Sequence, residues 1–338
     1  MSNQSLNKAR ELLIQKYIES LKQKQLPWEQ GWKLDIPRNG ITNTKYNGVN
    51  ALLLSFIAFE RNYSGNRWCT FNQIADKDKK YHPNQKWHLK KDSKSVPIEF
   101  WFVYNIKDKQ KYTFEEYEKI VKSQPEREEE FRLTSKIYYV FNEDCIEGME
   151  KEKAVKYDIN SEKVIENIIN NINVKYIEKG TNAYYSPIDD TVVVPPKELF
   201  KNQYSYYSTQ LHELCHSTGH SSRLNRDLNN KFGSKEYAKE ELRAEISSSF
   251  LMQELNLEYD ENHIMNHIAY VQSWIDILEE KPNELFKAIK DSNKIVEYIK
   301  ENSELEKLRE LEENKNEQVE EIIEIYTEEP EDEEDFEM

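Results

Sequence analysis

Ten residues, LHELCHSTGH at positions 211–220, hold three of the seven histidines in the chain together with a glutamate and a cysteine. They constrain the fold more than any other stretch. His212 and His216 are four apart, so on a helix both imidazoles leave one face about one turn from each other. That spacing lets two ring nitrogens meet one Zn²⁺ ion at about 2.0–2.1 Å. Glu213, beside the first histidine, is placed to act as general base toward a metal-bound water. Leu211 and Leu214 flank the pair as core contacts, and Gly219 ends the helix. Two histidines and a water leave one tetrahedral position open, so the fold must deliver a third ligand to this helix face.

The candidates are Glu240, Glu241, Glu245 and His220. His220 follows His216 by four, but Gly219 intervenes and the helix has turned away by then. Glu241 and Glu245 lie one turn apart on one face of a second helix, while Glu240 points about 100° from Glu241. Glu241 is therefore the preferred ligand, with Glu245 as an acceptor that orients a histidine N–H. The competing reading of these glutamates is surface pairing with lysine or Arg243. Cys215 lies on the wrong side of its helix for the same metal and reads as a buried apolar residue. His267 and Tyr270 read as helix-packing residues in preference to oxyanion-stabilising donors.

The net charge of −16 is unevenly spread. Residues 1–113 hold 20 Lys and Arg against 10 Asp and Glu, whereas residues 317–338 hold 12 acidic residues and no Lys or Arg. A basic head on an acidic chain points to a polyanionic partner. Five of the six tryptophans, at 28, 32, 68, 87 and 101, fall in the same basic segment. Cations that track phosphates, interleaved with rings that stack on bases, suit single-stranded nucleic acid. No apolar run approaches the roughly 20 residues that span a bilayer, and MSNQSLNKARELL lacks the apolar core of a signal peptide. These features, with three scattered cysteines and no CxxC pair, predict a cytoplasmic protein without a membrane partner, disulfide framework or thiolate zinc site.

Along the chain, apolar spacing predicts helices over 6–22 and 50–61. Strands are expected at 96–106 and 136–141. WCTFNQIA reads as a strand or turn feeding a short helix. The polar segment 107–131 reads as an insertion or an exposed helix. Farther on come a helix at SEKVIENIINNI, strands at VKYIEK and TVVVPP, and helices over about 204–218, 235–256 and 262–280. TVVVPP, ended by two prolines, reads as an edge strand. The acidic end is expected to be disordered.

Four segments in this order, GTNAYYSPIDDTVVVPPKELF, YYSTQLHELCHSTGHSSRLNR, FGSKEYAKEELRAEISSSF and NHIAYVQSWI, resemble the metallopeptidase-like domain of the ArdC-type antirestriction proteins of plasmids, conjugative elements and phages. The resemblance spans about residues 175–290. It implies a zincin fold whose zinc is held by HExxH and a glutamate of EELRAE, which supports Glu241. LPWEQGW, TKYNGVNALLL, RWCTFNQIA and VPIEFWF resemble the N-terminal single-stranded-DNA-binding domain of the same family, over roughly residues 6–105. The residues assigned to nucleic-acid contact are Trp32, Lys45, Tyr46, Asn50, Arg67, Trp68 and Phe71.

The resulting expectation is an α+β protein of two domains. An α+β DNA-binding domain covers 1–145, a zincin-like metallopeptidase domain covers 155–295, and an acidic tail covers 300–338. Zn²⁺ is the expected cofactor, bound by His212, His216 and Glu241 with Glu213 as catalytic base. The expected partners are single-stranded DNA and a host restriction or defence protein. The alternative is a non-enzymatic DNA-masking protein with a structural zinc.

Overall fold

A computed structural model describes residues 2–23, 36–76, 79–84, 86–151, 160–228, 230–231, 233–255 and 268–311. Over these residues the chain mixes helices and strands and forms two compact units. One comprises residues within 1–153, 230–249 and 259–293; the other comprises residues within 154–229, 250–258 and 294–338. Among the described residues no helix is long and apolar enough to cross a membrane.

The first unit is built on a five-stranded sheet of order β1-β2-β6-β4-β5. Its strands are β1 (Arg38–Asn39), β2 (Arg67–Thr70), β4 (Val96–Asn105), β5 (Lys111–Tyr112) and β6 (Phe131–Asn142); β3 (His88–Leu89) pairs with β7 (Ile146–Glu147) in a separate ribbon. The centre is the long antiparallel pairing of β4 and β6, in register from Val96↔Val140 to Asn105↔Phe131. β6 begins five residues before the expected strand. Its first half, FRLTS, pairs with β4 but is largely solvated, so it carries no apolar signal. The charged segment between them folds into β5, helix α4 (Phe114–Ser123) and a 3-10 turn (Pro125–Glu130). Helix α4 has no buried residue and starts on a Thr113–Glu116 capping box, so its local sequence supports it.

Helix α1 (Ser2–Lys22) packs on β4 and β6, and on helices α2 (Gly48–Glu60) and α8 (Ile268–Glu280). Leu13, Tyr17 and Leu21 form its buried stripe at helical spacing. Arg10 fixes it to the sheet with a bidentate pair to the buried Glu99, at 2.7 and 3.0 Å. The Trp101 indole donates to the same carboxylate at 3.0 Å. Glu99 thus has donors on both oxygens, the condition for keeping a carboxylate inside a protein. Short helix α3 (Phe71–Ala75) follows β2 directly, with a Thr70–Gln73 capping box.

A second buried ion pair anchors β2. Arg67 Nε and Nη2 donate to Glu143 Oε2 at 2.9 and 2.7 Å, and the Arg67 backbone N–H donates to Oε1 at 3.0 Å. Both side chains are below one-tenth exposed. Gly65 makes this possible, because a Cβ there would overlap the Glu143 carboxylate.

The second unit contains helix α5 (Ser161–Ile172) and a three-stranded sheet of order β8-β10-β9, from β8 (Lys175–Glu178), β9 (Tyr184–Ser186) and β10 (Thr191–Val194). β10 pairs parallel with β8 and antiparallel with β9. The expectation of an edge strand at TVVVPP is therefore corrected: β10 is the central strand, and all four of its residues are buried. An unbroken apolar run signals burial on both faces, and the two prolines only stop the strand. Helix α6 (Gln203–Ser217) packs against α5.

Three further helices are α7 (Lys235–Glu254), α8 and α9 (Asn283–Ser303). α9 was not expected as an element. Its buried residues Leu285, Ile289, Ser292, Ile295 and Ile299 nevertheless follow helical spacing.

Glu143→Ala would strand the buried Arg67 guanidinium. The expected loss is about 3–5 kcal/mol of unfolding free energy, measured by urea denaturation.

Candidate metal centre

Helix α6 begins at Asn202, whose side chain accepts from the Ser205 N–H at 2.9 Å, an N-cap bond. Its last turns carry the histidines. His212 Nε2 and His216 Nε2 lie 3.1 Å apart, with ring centroids at 4.7 Å and planes at 80°. Two nitrogens of a tetrahedral site at about 2.0–2.1 Å from one ion stand about 3.3 Å apart, so the pair has the separation a metal requires. His216 is buried and His212 is partly exposed. Glu213 is buried. Cys215 is fully buried, in keeping with the apolar role expected of it.

The end of α6 is held by the SSRLNR segment that follows it. The last carbonyls of a helix lack intrahelical partners and carry partial negative charge. Arg226 Nη2 donates to the Cys215 carbonyl at 2.9 Å and its Nη1 to Thr218 Oγ1 at 2.7 Å. Arg223 Nε donates to the Ser217 carbonyl at 2.8 Å. Two guanidinium groups therefore fix the turn of helix that bears His216. Gly219 allows the return of the chain, since a Cβ there would press on Leu228 at 2.8 Å.

Arg223 also ties this helix end to the sheet. Its guanidinium pairs with Asp190, just before β10, and Tyr185 OH donates to the same carboxylate at 2.8 Å. Burial pushes the Asp190 pKa up, but hydrogen bonds from Arg223 and Tyr185 outweigh it and hold the carboxyl below the ordinary aspartate value. Burial, then the bond to Asp190, raises the Tyr185 hydroxyl well above the tyrosine range. His220 belongs to this cluster. Its Nδ1 lies 2.8 Å from Ser222 Oγ and 3.9 Å from Asp190 Oδ2.

Helix α7 supplies the glutamates. Glu240, Glu241 and Glu245 are each below one-tenth exposed, which overturns the competing reading of surface pairing. Arg243 pairs instead with Asp291, at 2.7 Å. One carboxylate oxygen of Glu241 and one ring nitrogen from each of His212 and His216 lie within 4.8 Å of one another, a group able to hold a metal ion. Neither His220 nor the other two glutamates belong to that group. The Tyr237 hydroxyl is hydrogen-bonded to Glu241 and to Tyr270, and burial, followed by the Glu241 charge, raises its pKa far above the usual range. Tyr270 stacks on Trp274 at 6.1 Å. Tyr237 precedes Glu241 by four residues and so shares its helix face. That spacing was the signal that could have revealed it. His267 lies outside the described residues.

The seven residues expected to face nucleic acid divide sharply. Trp68 is fully buried, with its indole N–H on Asn66 Oδ1 at 2.8 Å. Arg67 is held by Glu143. Asn50 donates to the Glu99 carbonyl at 2.7 Å and accepts the Glu99 N–H at 2.9 Å, as a neighbouring strand would. These three side chains are committed to the fold. Tyr46 is partly buried, and burial raises its pKa despite a hydrogen bond with Asn39. Lys45 and Phe71 are exposed, Phe71 by 56%. Trp32 lies outside the described residues, as does the segment 312–338.

Residues 163–291 match the family model of zincin-like metallopeptidases. Residues 7–141 match that of the N-terminal domain of the anti-restriction factor ArdC. The class is thus a zincin-like domain joined to an ArdC N-terminal domain. The crystal structures of the antirestriction ArdC protein from the R388 plasmid share the fold. The metal-free form has TM-score 0.65 at 24% identity, and the Mn(II)-bound form 0.66 at 25%; each comparison covers 87% of this chain and 97% of that one. Two DNA primases named TraC from Escherichia coli are 31% identical over 86% of this chain, which spans only 20% and 27% of their length. A Sinorhizobium fredii protein, y4eC, is 27% identical over 81% of this chain and 84% of its own. In both matched domains and in fold the chain is similar to the ArdC antirestriction protein.

The Asp190–Arg223 pair contributes stability that is fully present above the ordinary aspartate pKa of about 3.9 and is lost as pH falls through the lowered folded value. Arg223→Met should flatten that acid-side loss, read from denaturation midpoints measured at a series of pH values below about 5. Arg226→Met should cost about 1–2 kcal/mol through the uncapped carbonyls, read by urea denaturation.

Proposed function

We propose that this chain is a zinc-dependent antirestriction protein that binds single-stranded DNA through its N-terminal domain. The observation that carries the metal reading is the convergence of one donor atom each from His212, His216 and Glu241 within 4.8 Å. Two imidazoles and a carboxylate are the donor set of hydrolytic zinc sites. The Mn(II)-bound form of the R388 protein supports a divalent cation in this family.

A divalent cation held there would supply Lewis acidity at neutral pH. The residues of the chain do the rest. His212 and His216 present their Nε2 atoms to one point, and the arginine-capped helix end keeps them there. Tyr237 orients the Glu241 carboxylate by hydrogen bonding to it. Glu213, adjacent to His212, accepts a proton from the attacking water and returns it to the leaving amine, the role of a general acid–base in peptide hydrolysis.

The DNA reading rests on the excess of positive charge over residues 1–113 and on the match to the ArdC N-terminal domain. Of the residues assigned to it, Lys45 and Phe71 lie at the surface. Such a protein would act in the cytoplasm, shielding incoming DNA from a host restriction or defence protein. Hydrolysis of a protein substrate and simple masking of DNA are separated by one substitution.

Glu213→Gln should keep stoichiometric zinc, measured by atomic emission, while losing protection of DNA against restriction. Full protection with zinc retained would favour masking with a structural metal. His212→Ala and Glu241→Ala should each lose bound zinc; retention in His212→Ala would refute the site.

A further inference from the structure

We propose that the side of the β4–β6 ribbon that bears Phe100, Tyr138 and Lys136 is the platform on which single-stranded DNA stacks its bases. The proposal rests on the DNA reading above and gives it a location that the sequence did not. Successive residues of a strand face opposite ways, so Phe100 and Phe102 share one face of β4. The register Ile98↔Tyr138 and Phe100↔Lys136 puts Tyr138 and Lys136 of β6 on that face, and Tyr104↔Lys111 adds Lys111 of β5. The opposite face carries Glu99 and Trp101, both bound to Arg10 of α1 or its partners.

Phe100 and the half-buried Tyr138 are the accessible rings of this face, and Phe102, buried at 9% exposure, stacks on Phe100 from within the fold. Phe100 and Phe102 stack with centroids at 6.2 Å, and Phe100 meets Tyr138 edge-on at 6.0 Å. Phe100 is 53% exposed. Two ammonium groups frame it. Lys111 Nζ lies 4.8 Å from the Phe102 centroid and Lys136 Nζ lies 5.2 Å from that of Tyr138. Both lysines are exposed. Neighbouring lysines are neutralised, Lys107 by Glu130 and Lys119 by Glu115. Among the described residues neither Lys111 nor Lys136 pairs with a carboxylate.

Unneutralised cations flanking the exposed Phe100 and the half-buried Tyr138 fit a ligand that alternates phosphates with flat aromatic groups. Bases stack on such rings with little regard to sequence, and the lysines follow the backbone. Double-stranded DNA hides its base faces and is a poor match. The acidic segment 317–338 of this chain could supply negative charge, but its single terminal Phe336 and one Tyr326 offer fewer rings to stack.

The test uses the full chain and a fluorescein-labelled single-stranded oligothymidylate, read by anisotropy at several salt concentrations. Phe100→Leu with Tyr138→Leu should weaken binding about tenfold for each ring and leave the salt dependence unchanged. Lys111→Gln with Lys136→Gln should lower the slope of log affinity against log salt by about 1.4. Should the double leucine variant fail to fold by circular dichroism, Phe100→Leu alone carries the test, because that ring is more than half exposed. Wild-type binding with both variants indistinguishable from it would overturn the platform while leaving the DNA reading intact. No wild-type binding even at low salt would overturn the DNA reading and the platform with it. A carbodiimide cross-link from Lys136 to residues 317–338, with DNA affinity insensitive to the substitutions, would assign the face to the acidic segment and likewise overturn the platform.

Discussion

Glu240, Glu241 and Glu245 bring three carboxylates into the protein interior from little more than one turn of helix α7. Removing each from water costs several kcal/mol unless cations or donors meet it. Much of the surrounding architecture answers that cost. Tyr237 hydrogen-bonds to Glu241, and the buried Tyr17 of α1 lies close enough to Glu245 for the carboxylate charge to raise its pKa, burial contributing more. Two histidines converge with Glu241. A divalent cation at that point would neutralise much of the remaining charge, so the metal reading and the stability of the helix are one problem.

The end of the helix that bears His212 and His216 has an equally physical logic. A histidine in the last turn is only as well placed as the turn itself, and helix ends fray for want of hydrogen-bond partners. Arg223 and Arg226 satisfy those carbonyls, and Arg223 adds a bond to Asp190 before the central strand β10. The residues after HExxH thus act by positioning the helix, and His220 serves in that cluster.

The basic head spends several of its conspicuous residues on its own fold. Arg10 and Arg67 are consumed by the buried Glu99 and Glu143, and Trp68 sits wholly inside. Net charge therefore overstates the cationic surface available to a polyanion. What remains of the cationic surface is carried by lysines such as Lys111 and Lys136, exposed on the sheet.

Local signals in the chain suffice for the helices and strands that carry them. Spacing of four fixes both histidines on one face, and β-branched and aromatic density marks β4. The sequence also favoured Glu241 over His220, through a glycine that ends a helix and a periodicity that separates Glu241 from Glu240. Which neighbours each residue meets depends on long-range packing. β10 is central because strands on both sides of it close the sheet, and the early half of β6 is a strand because β4 pairs with it. Asn50 and Arg67 are tied into the fold because Glu99 and Glu143, 49 and 76 residues away, provide their partners. Periodicity records how a residue sits on its own element, whereas the cost of burying a polar group is settled by partners that sequence distance hides.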